Sequence, residues 1–132
     1  MTDNPLFDAP PPDITVVVPV RNEADNIAPL IAEIVAALAP RFAFEIIYVD
    51  DGSRDGTPQA LARLAGEIPQ LRRLTHAESC GQSAAVRSGV LAARGAIVAT
   101  LDGDGQNNPS FIPAMVDVLM QGRPRIGLVA GQ

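Results

Sequence analysis

The sequence predicts an α/β fold: a Rossmann-like, three-layer α/β/α arrangement around a mostly parallel sheet. Three observations predict it. Short runs rich in Val and Ile are centred near residues 17, 47, 73, 99 and 128, roughly 26 to 30 positions apart, the span of a strand, a crossover helix and the return. The segments between the runs carry apolar residues at helical spacing. The runs also stop in polar turns, as strands buried on both faces must when they leave a sheet.

The elements follow in order. Residues 1–12 hold Pro5, Pro10, Pro11 and Pro12 with Asp3 and Asp8, too much proline and too little apolar surface for an element, so a disordered lead-in is expected there and a folded part over 13–132. Ile14 to Val18 is a β-branched strand ended by Pro19, which has no ladder donor. After the polar turn Arg21 to Asn26, the positions Ile27, Leu30, Ile31, Ile34, Val35 and Leu38 form the stripe of an amphipathic helix. Phe44 to Val49 is the second strand and runs into Asp50-Asp51-Gly52-Ser53-Arg54-Asp55-Gly56. Thr57 has the chemistry of an N-cap with Pro58 at the first helical position, and Leu61, Leu64 and Ile68 supply the buried face. Leu71 to Thr75 is a weaker strand, with Arg72 and Arg73 inside it. From Gln82 to Ala93, small residues including Ala84, Ala85, Ser88, Gly89, Ala92 and Ala93 surround Val86 and Val90, the pattern of a helix packed close to a sheet. Ile97 to Leu101 is the fourth strand, and Asn108-Pro109 caps a helix through Phe111, Ile112, Met115, Val116, Leu119 and Met120. Ile126 to Gln132 reads as a strand just leaving the sheet, so the full-length chain is expected to continue.

Composition narrows the function classes. The chain has 132 residues, 47% of them hydrophobic and 19% charged, enough for one domain with a real core. A net charge of -5 argues against a nucleic-acid partner, which needs a basic patch. All ten cations are Arg; without a Lys there is no P-loop and no lysine Schiff base. Cys80 is the single cysteine, so neither a disulfide framework nor a cysteine-based zinc site can form within the chain. No apolar run approaches the ~18 residues of a membrane span, and the N-terminus lacks signal-peptide features, which predicts a soluble chain.

The parallel architecture gathers the polar residues. Every strand ends on the same edge, and ligands bind in the crevice there. Glu23 follows the first strand, Asp50 and Asp51 the second, Asp102 and Asp104 the fourth, so five carboxylates are expected on one rim. Their mutual repulsion calls for a divalent cation or for ligand donors such as ribose hydroxyls. Asp102-Gly103-Asp104 offers two hard oxygen donors with a glycine between them, suited to Mg²⁺ or Mn²⁺ shared with a phosphate; taken alone it reads as a polar turn after a strand, and its place on the shared rim points to the metal and diphosphate. Glu23 also has the bland reading of an acidic residue favoured by a helix dipole, and Asp50 and Asp51 that of a turn with a cap. The Asp51 loop starts like a calcium loop, but Ala62 stands where the bidentate Glu belongs, so that reading fails. His76 reads as an exposed or hydrogen-bonded strand-end residue and not a general base, and Cys80 as structural. Gly81-Gln82-Ser83 is either a simple helix start or a set of N–H groups for an anion.

Four motifs in order resemble the family 2 glycosyltransferases of the GT-A type, in the branch with dolichyl-phosphate mannosyltransferase and bacterial polyprenyl-phosphate sugar transferases. They are Val18-Pro19-Val20-Arg21-Asn22-Glu23, Val49-Asp50-Asp51-Gly52-Ser53 with Asp55-Gly56-Thr57, Gly81-Gln82-Ser83-Ala84-Ala85, and Leu101-Asp102-Gly103-Asp104-Gly105-Gln106 with Asn108-Pro109. The resemblance implies that Pro19, Arg21 and Glu23 line the nucleotide pocket, and that Val49 and Asp51 contact base and ribose. It implies that Asp102, Gly103 and Asp104 hold the diphosphate through Mg²⁺ or Mn²⁺, with Asp102, Asp104 and Gln106 as metal ligands. Arg21 departs from the aromatic or small residue often found there, which leaves a main-chain contact. The implied activity is inverting sugar transfer from a UDP- or GDP-linked donor to polyprenyl or dolichyl phosphate at the cytoplasmic face of the membrane. Membrane contact and any catalytic base would come from the chain beyond Gln132. Two other readings stand beside it: a non-catalytic nucleotide-sugar binder, and an α/β phosphoacceptor signalling module, whose mechanism requires a Lys this chain lacks.

Overall fold

The computed structural model describes residues 10–104, 108–122 and 127–130. Five strands, β1 (Ile14–Val20), β2 (Phe44–Asp51), β3 (Leu71–His76), β4 (Ile97–Thr100) and β5 (Gly127–Ala130), form one sheet in the order β3-β2-β1-β4-β5. Every neighbouring pair is parallel, with Val16 opposite Ile46 on one side and Ala99 on the other. The helices are α1 (Ala24–Leu38), α2 (Thr57–Glu67), α3 (Gln82–Ala92) and α4 (Phe111–Gly122).

The two faces of the sheet carry different cores. Val16, Val18, Ile46 and Tyr48 pack with Ile27, Leu30, Ile31 and Ile34 of α1, Leu61 and Leu64 of α2, and Ile112 and Val116 of α4. The five buried residues of α1, at the spacing that marked it in the sequence, contribute about 1.5–3 kcal/mol each when withdrawn from water. On the opposite face Val17, Ile47, Val49 and Val98 pack with Ala85 of α3. Small residues are needed there because α3 lies against the strands: a Cβ on Gly89 would sit 2.4 Å from Val17 Cγ1. The close helix read from the sequence is therefore observed.

Three local expectations are revised. β1 continues through Pro19 to Val20, and Pro19 pairs with Val49. The carbonyls of Asp13 and Val17 accept from Ile97 and Leu101, so odd positions of β1 face β4, and Pro19 falls where β4 has already ended; its missing donor costs no ladder bond. β2 includes Asp50 and Asp51, which are 1% and 5% exposed, where a solvated turn was expected. Thr57 does not cap its own helix: Gly56 is the N-cap, and the Thr57 hydroxyl accepts from the Glu23 N–H at 3.0 Å. The weak strand is β3, at the sheet edge, where Arg72 reaches Glu45 Oε1 at 2.8 Å. Glu45 is 2% exposed on the edge remote from the polar turns, and also accepts from Thr15 and Arg94. Burial pushes its carboxyl up, but those donors hold it below the usual carboxylate range.

Candidate functional site

The chain steps from β1 through β2 to β3 on one side and then jumps across to β4, so the turns after β1 and β4 diverge. This is the switch point at which open α/β sheets bind ligands. A cavity of about 370 Å³ lies there, within the usual range for small-molecule sites. Pro19, Val20, Arg21 and Glu23 line it from β1 and its turn, Asp51 from the end of β2, and Asp102, Gly103 and Asp104 from the turn after β4. Ser79, Gly81, Gln82 and Ala85 complete it from the β3–α3 turn and α3.

Each wall has a local cause. The turn after β1 is held by the turn after β2: Asn22 N–H donates to Ser53 Oγ at 2.8 Å, Glu23 N–H to Thr57 Oγ1, and Ala24 N–H to Asp55 Oδ2 at 3.3 Å. In return Arg54 N–H donates to Asn22 Oδ1 at 2.8 Å. Asn22 adopts φ 56°, a left-handed conformation that Asn tolerates better than most residues. Ser53, Asp55 and Thr57, all within the second motif, thus act on the protein's own backbone and fix the Glu23 side of the cavity.

Asp50 and Asp51 are adjacent in a strand and therefore point to opposite faces. Asp51 shares the α3 face with Val49 and reaches the cavity, while Asp50 turns away and accepts from Ser53 N–H at 3.0 Å. Of the five carboxylates expected on the rim, four line the cavity. Asp51 is already fully engaged: Oδ1 accepts from Cys80 N–H and His76 Nδ1, both at 2.8 Å, and Oδ2 from Ser79 Oγ and Gly81 N–H, both at 2.9 Å. Burial pushes Asp51 up, yet these four donors together hold it far below the usual carboxylate range. The Gly81 N–H, an anion donor in one reading of the sequence, is thus taken by a carboxylate of the chain itself. Gly81 makes this turn at φ 97°, where an L side chain would be strained.

The turn after β4 sits against β1. A Cβ on Gly103 would lie 2.3 Å from Val20 Cγ1 and 3.0 Å from the Pro19 carbonyl, so only glycine lets the two carboxylates approach this closely. Asp102 and Asp104 are exposed, and Asp102 Oδ1 accepts from Gln82 Nε2 at 2.9 Å. Two hard-oxygen ligands on one rim with Glu23 suit the donor preference of Mg²⁺ or Mn²⁺. Asp51, His76 and Cys80 also come within 4.8 Å of one another through potential ligand atoms. That cluster is a filled hydrogen-bond network, with both Asp51 oxygens doubly engaged and the Cys80 thiol turned to the Glu78 carbonyl at 3.3 Å.

Seven sequence-predicted residues therefore meet in one cavity: Pro19, Arg21, Glu23, Asp51, Asp102, Gly103 and Asp104. Val49 does not line it. Its side chain is fully buried in the α3-side core with Val17, Ile47, Ala85 and Val98. Gln106 lies outside the described residues. Ser79 was missed by sequence reasoning; a lone serine in a short turn carries no spacing signal. Gln82 stood out only as part of a helix start, and its bond to Asp102 spans the cavity. Among the described residues no helix is long and apolar enough to cross a membrane.

Known proteins share this sequence pattern and this fold. The sequence model of the family described as "Glycosyl transferase family 2" matches residues 15–130. The chain is 39% identical over 109 residues to a dodecaprenyl-phosphate galacturonate synthase of Rhizobium johnstonii, covering 81% of this chain and 32% of that protein. It is 40% identical over 97 residues to a dolichyl-phosphate beta-glucosyltransferase of Trichomonas vaginalis, covering 69% and 29%. Among solved structures, a mannosyltransferase from Pyrobaculum calidifontis in complex with GDP-Man and Mn²⁺ superposes with a TM-score of 0.74 at 30% identity, over 88% of this chain and 34% of that one. S. aureus TarS in complex with UDP superposes at 0.67 and 22% identity over 83% of this chain and 32% of that one, a likeness of fold. The chain thus spans about one third of the length of the curated relatives it matches.

Proposed function

The chain belongs to glycosyl transferase family 2, and from that premise we propose that residues 13–132 form the donor-binding part of a GT-A glycosyltransferase. The reaction is transfer of a sugar from a UDP- or GDP-linked donor to polyprenyl or dolichyl phosphate, with inversion at the anomeric carbon. The observation that carries this reading is the cavity at the β1–β4 switch point, where Glu23, Asp102 and Asp104 face one space of small-molecule size. The relatives named for polyprenyl-phosphate or dolichyl-phosphate sugar transfer support the acceptor class. The GDP-Man and Mn²⁺ complex supports a divalent metal.

In this reading Asp102 and Asp104 hold Mg²⁺ or Mn²⁺, with Gln106 as a further ligand. The metal, when bound, supplies Lewis-acid stabilisation of the charge that develops on the departing nucleoside diphosphate. Gly103 sets the approach of the two carboxylates to β1, Gln82 orients Asp102, and Pro19, Arg21 and Glu23 face the nucleotide. Asp51 orders the turn that closes the cavity on the α3 side. A lipid phosphate acceptor arrives as an anion and needs no protein base to deprotonate it. The match to glycosyl transferase family 2 over residues 15–130 favours this reading over the phosphoacceptor alternative. The second reading, a non-catalytic nucleotide-sugar binder, uses the same cavity and the same residues. In the full-length protein the site would face the cytoplasm, where nucleotide sugars are available.

Calorimetric titration with UDP and with GDP, each with and without Mn²⁺, tests the proposal. Binding that requires Mn²⁺ and is lost in Asp104→Ala is expected. No binding of either nucleotide, or binding indifferent to Asp104→Ala, refutes it.

A further inference from the structure

Asp51 is the inner end of a longer chain of contacts. His76 Nδ1 lies 2.8 Å from Asp51 Oδ1, and His76 Nε2 lies 2.8 Å from Ser88 Oγ. An ionised carboxylate only accepts, so Nδ1 carries a proton in this contact, and the Ser88 hydroxyl meets Nε2 on the far side of the ring. His76 closes the edge strand β3 and Ser88 lies inside α3, so the ring crosses from sheet to helix. Both residues lie outside the donor cavity, in a neighbouring groove of about 430 Å³ that also holds Cys80 and Arg87.

An Asp–His–Ser chain invites comparison with a nucleophilic serine, but the surroundings do not fit one. Ser88 is in the middle of a helix, where the adjacent N–H groups are spent on the helix ladder and none is left to receive an oxyanion. The chain of bonds orients and does not react. What it orients is the turn into α3: the carboxylate His76 holds is the same one that clamps Ser79, Cys80 and Gly81. The next residue, Gln82, donates to Asp102 across the cavity.

We propose that His76 is a positioning residue for the donor cavity: pinned at Nε2 by Ser88, it holds Asp51 in the orientation from which both carboxylate oxygens clamp the Ser79–Gly81 turn. The proposal rests on reading the cavity as a nucleotide-sugar site. A purely structural His76 would add to overall stability. A positioning His76 affects the turn and the ligand.

Two readouts on this chain separate these roles: amide hydrogen exchange at Cys80 and Gly81 without ligand, and calorimetric affinity for UDP and GDP with Mn²⁺. In His76→Ala, exchange at both amides is expected to rise and nucleotide affinity to fall, each on the order of tenfold, beside a melting midpoint lowered by the loss of one donor to buried Asp51. His76→Asn, whose amide can donate from the Nδ1 position, should restore most of both. Ser88→Ala, a substitution that favours helix, should fall between and carries the test if His76→Ala does not fold. Exchange and affinity in His76→Ala and Ser88→Ala indistinguishable from wild type would overturn the proposal, as would a lowered melting midpoint with both readouts unchanged. If the wild-type chain binds neither nucleotide, the donor reading fails, and the exchange data still decide whether His76 holds the turn.

Discussion

Replacing Gly103 by Ala isolates the role of the turn after β4. The new methyl carbon would start 2.3 Å from Val20 Cγ1, with the Pro19 carbonyl at 3.0 Å and Val20 Cβ at 3.4 Å. Carbon atoms pack at about 3.5–4.0 Å, so the shortfall is more than ~1 Å. Either Val20 or the turn must yield. Val20 is β-branched and 4% exposed within β1, and a change of its stiff χ1 would disturb the α1-side core. The turn is exposed at Asp102 and Asp104, so it recoils, carrying both carboxylates outward by about 1 Å. Overpacking costs about 1–3 kcal/mol where a core resists, and a yielding rim puts the loss of stability at the low end. Misplacement of reacting groups by that distance can cost on the order of a hundredfold, so the effect on function should exceed the effect on folding. Calorimetry with UDP or GDP and Mn²⁺ should show affinity reduced by about ten- to a hundredfold, beside a thermal midpoint within a few degrees of wild type. Affinity within experimental error of wild type would refute the claim that Gly103 sets the distance of the carboxylates. Global unfolding would refute the claim that the turn is what yields.

The core and the buried polar groups give further tests. Gly89→Ala would drive a methyl to 2.4 Å from Val17 Cγ1 and 3.2 Å from Val49 Cγ2; neither side can recoil into solvent, so a stability loss of about 1–3 kcal/mol is expected in urea unfolding. Tyr48 carries a buried hydroxyl with no hydrogen-bond partner among the described residues, and burial pushes its ionisation up. Tyr48→Phe should therefore leave stability unchanged or raise it by about 1 kcal/mol, read from the urea midpoint. Asp51 titrates lower in the folded chain than in the unfolded one, so its ionised form stabilises the fold above the unfolded carboxylate value near ~4, and that contribution fades as pH falls through the lower folded value. Acid unfolding followed by circular dichroism should show wild type more stable than Asp51→Asn at neutral pH. The gap should stay constant down to about pH 5 and narrow at lower pH; a gap independent of pH would contradict the assigned network.

Local spacing specifies the strands, the helices and the edge of the sheet on which the polar turns meet. The α1 stripe from Ile27 to Leu38, the small-residue face around Gly89 and the β-branched runs each state their burial within one element. Motif order placed Pro19, Arg21, Glu23, Asp51, Asp102, Gly103 and Asp104 together, and they line one cavity. Which polar groups serve the protein's own backbone is set by contacts between elements distant in the chain. β2 is apolar on both faces, so no alternation says which of Asp50 and Asp51 points toward α3, or that Val49 is sealed in the core. Thr57 and Asp55 carry the signature of a helix start, and Asp55 Oδ1 does accept from the Thr57 N–H, yet Thr57 Oγ1 and Asp55 Oδ2 bind the backbone of Glu23 and Ala24, more than thirty residues away. Asp51 finds His76, Ser79, Cys80 and Gly81 because β3 lies beside β2 and α3 crosses back over the sheet. Periodicity reports how much of a residue is buried; which partner satisfies a buried polar group depends on strand order, and that is set by contacts distant in the chain.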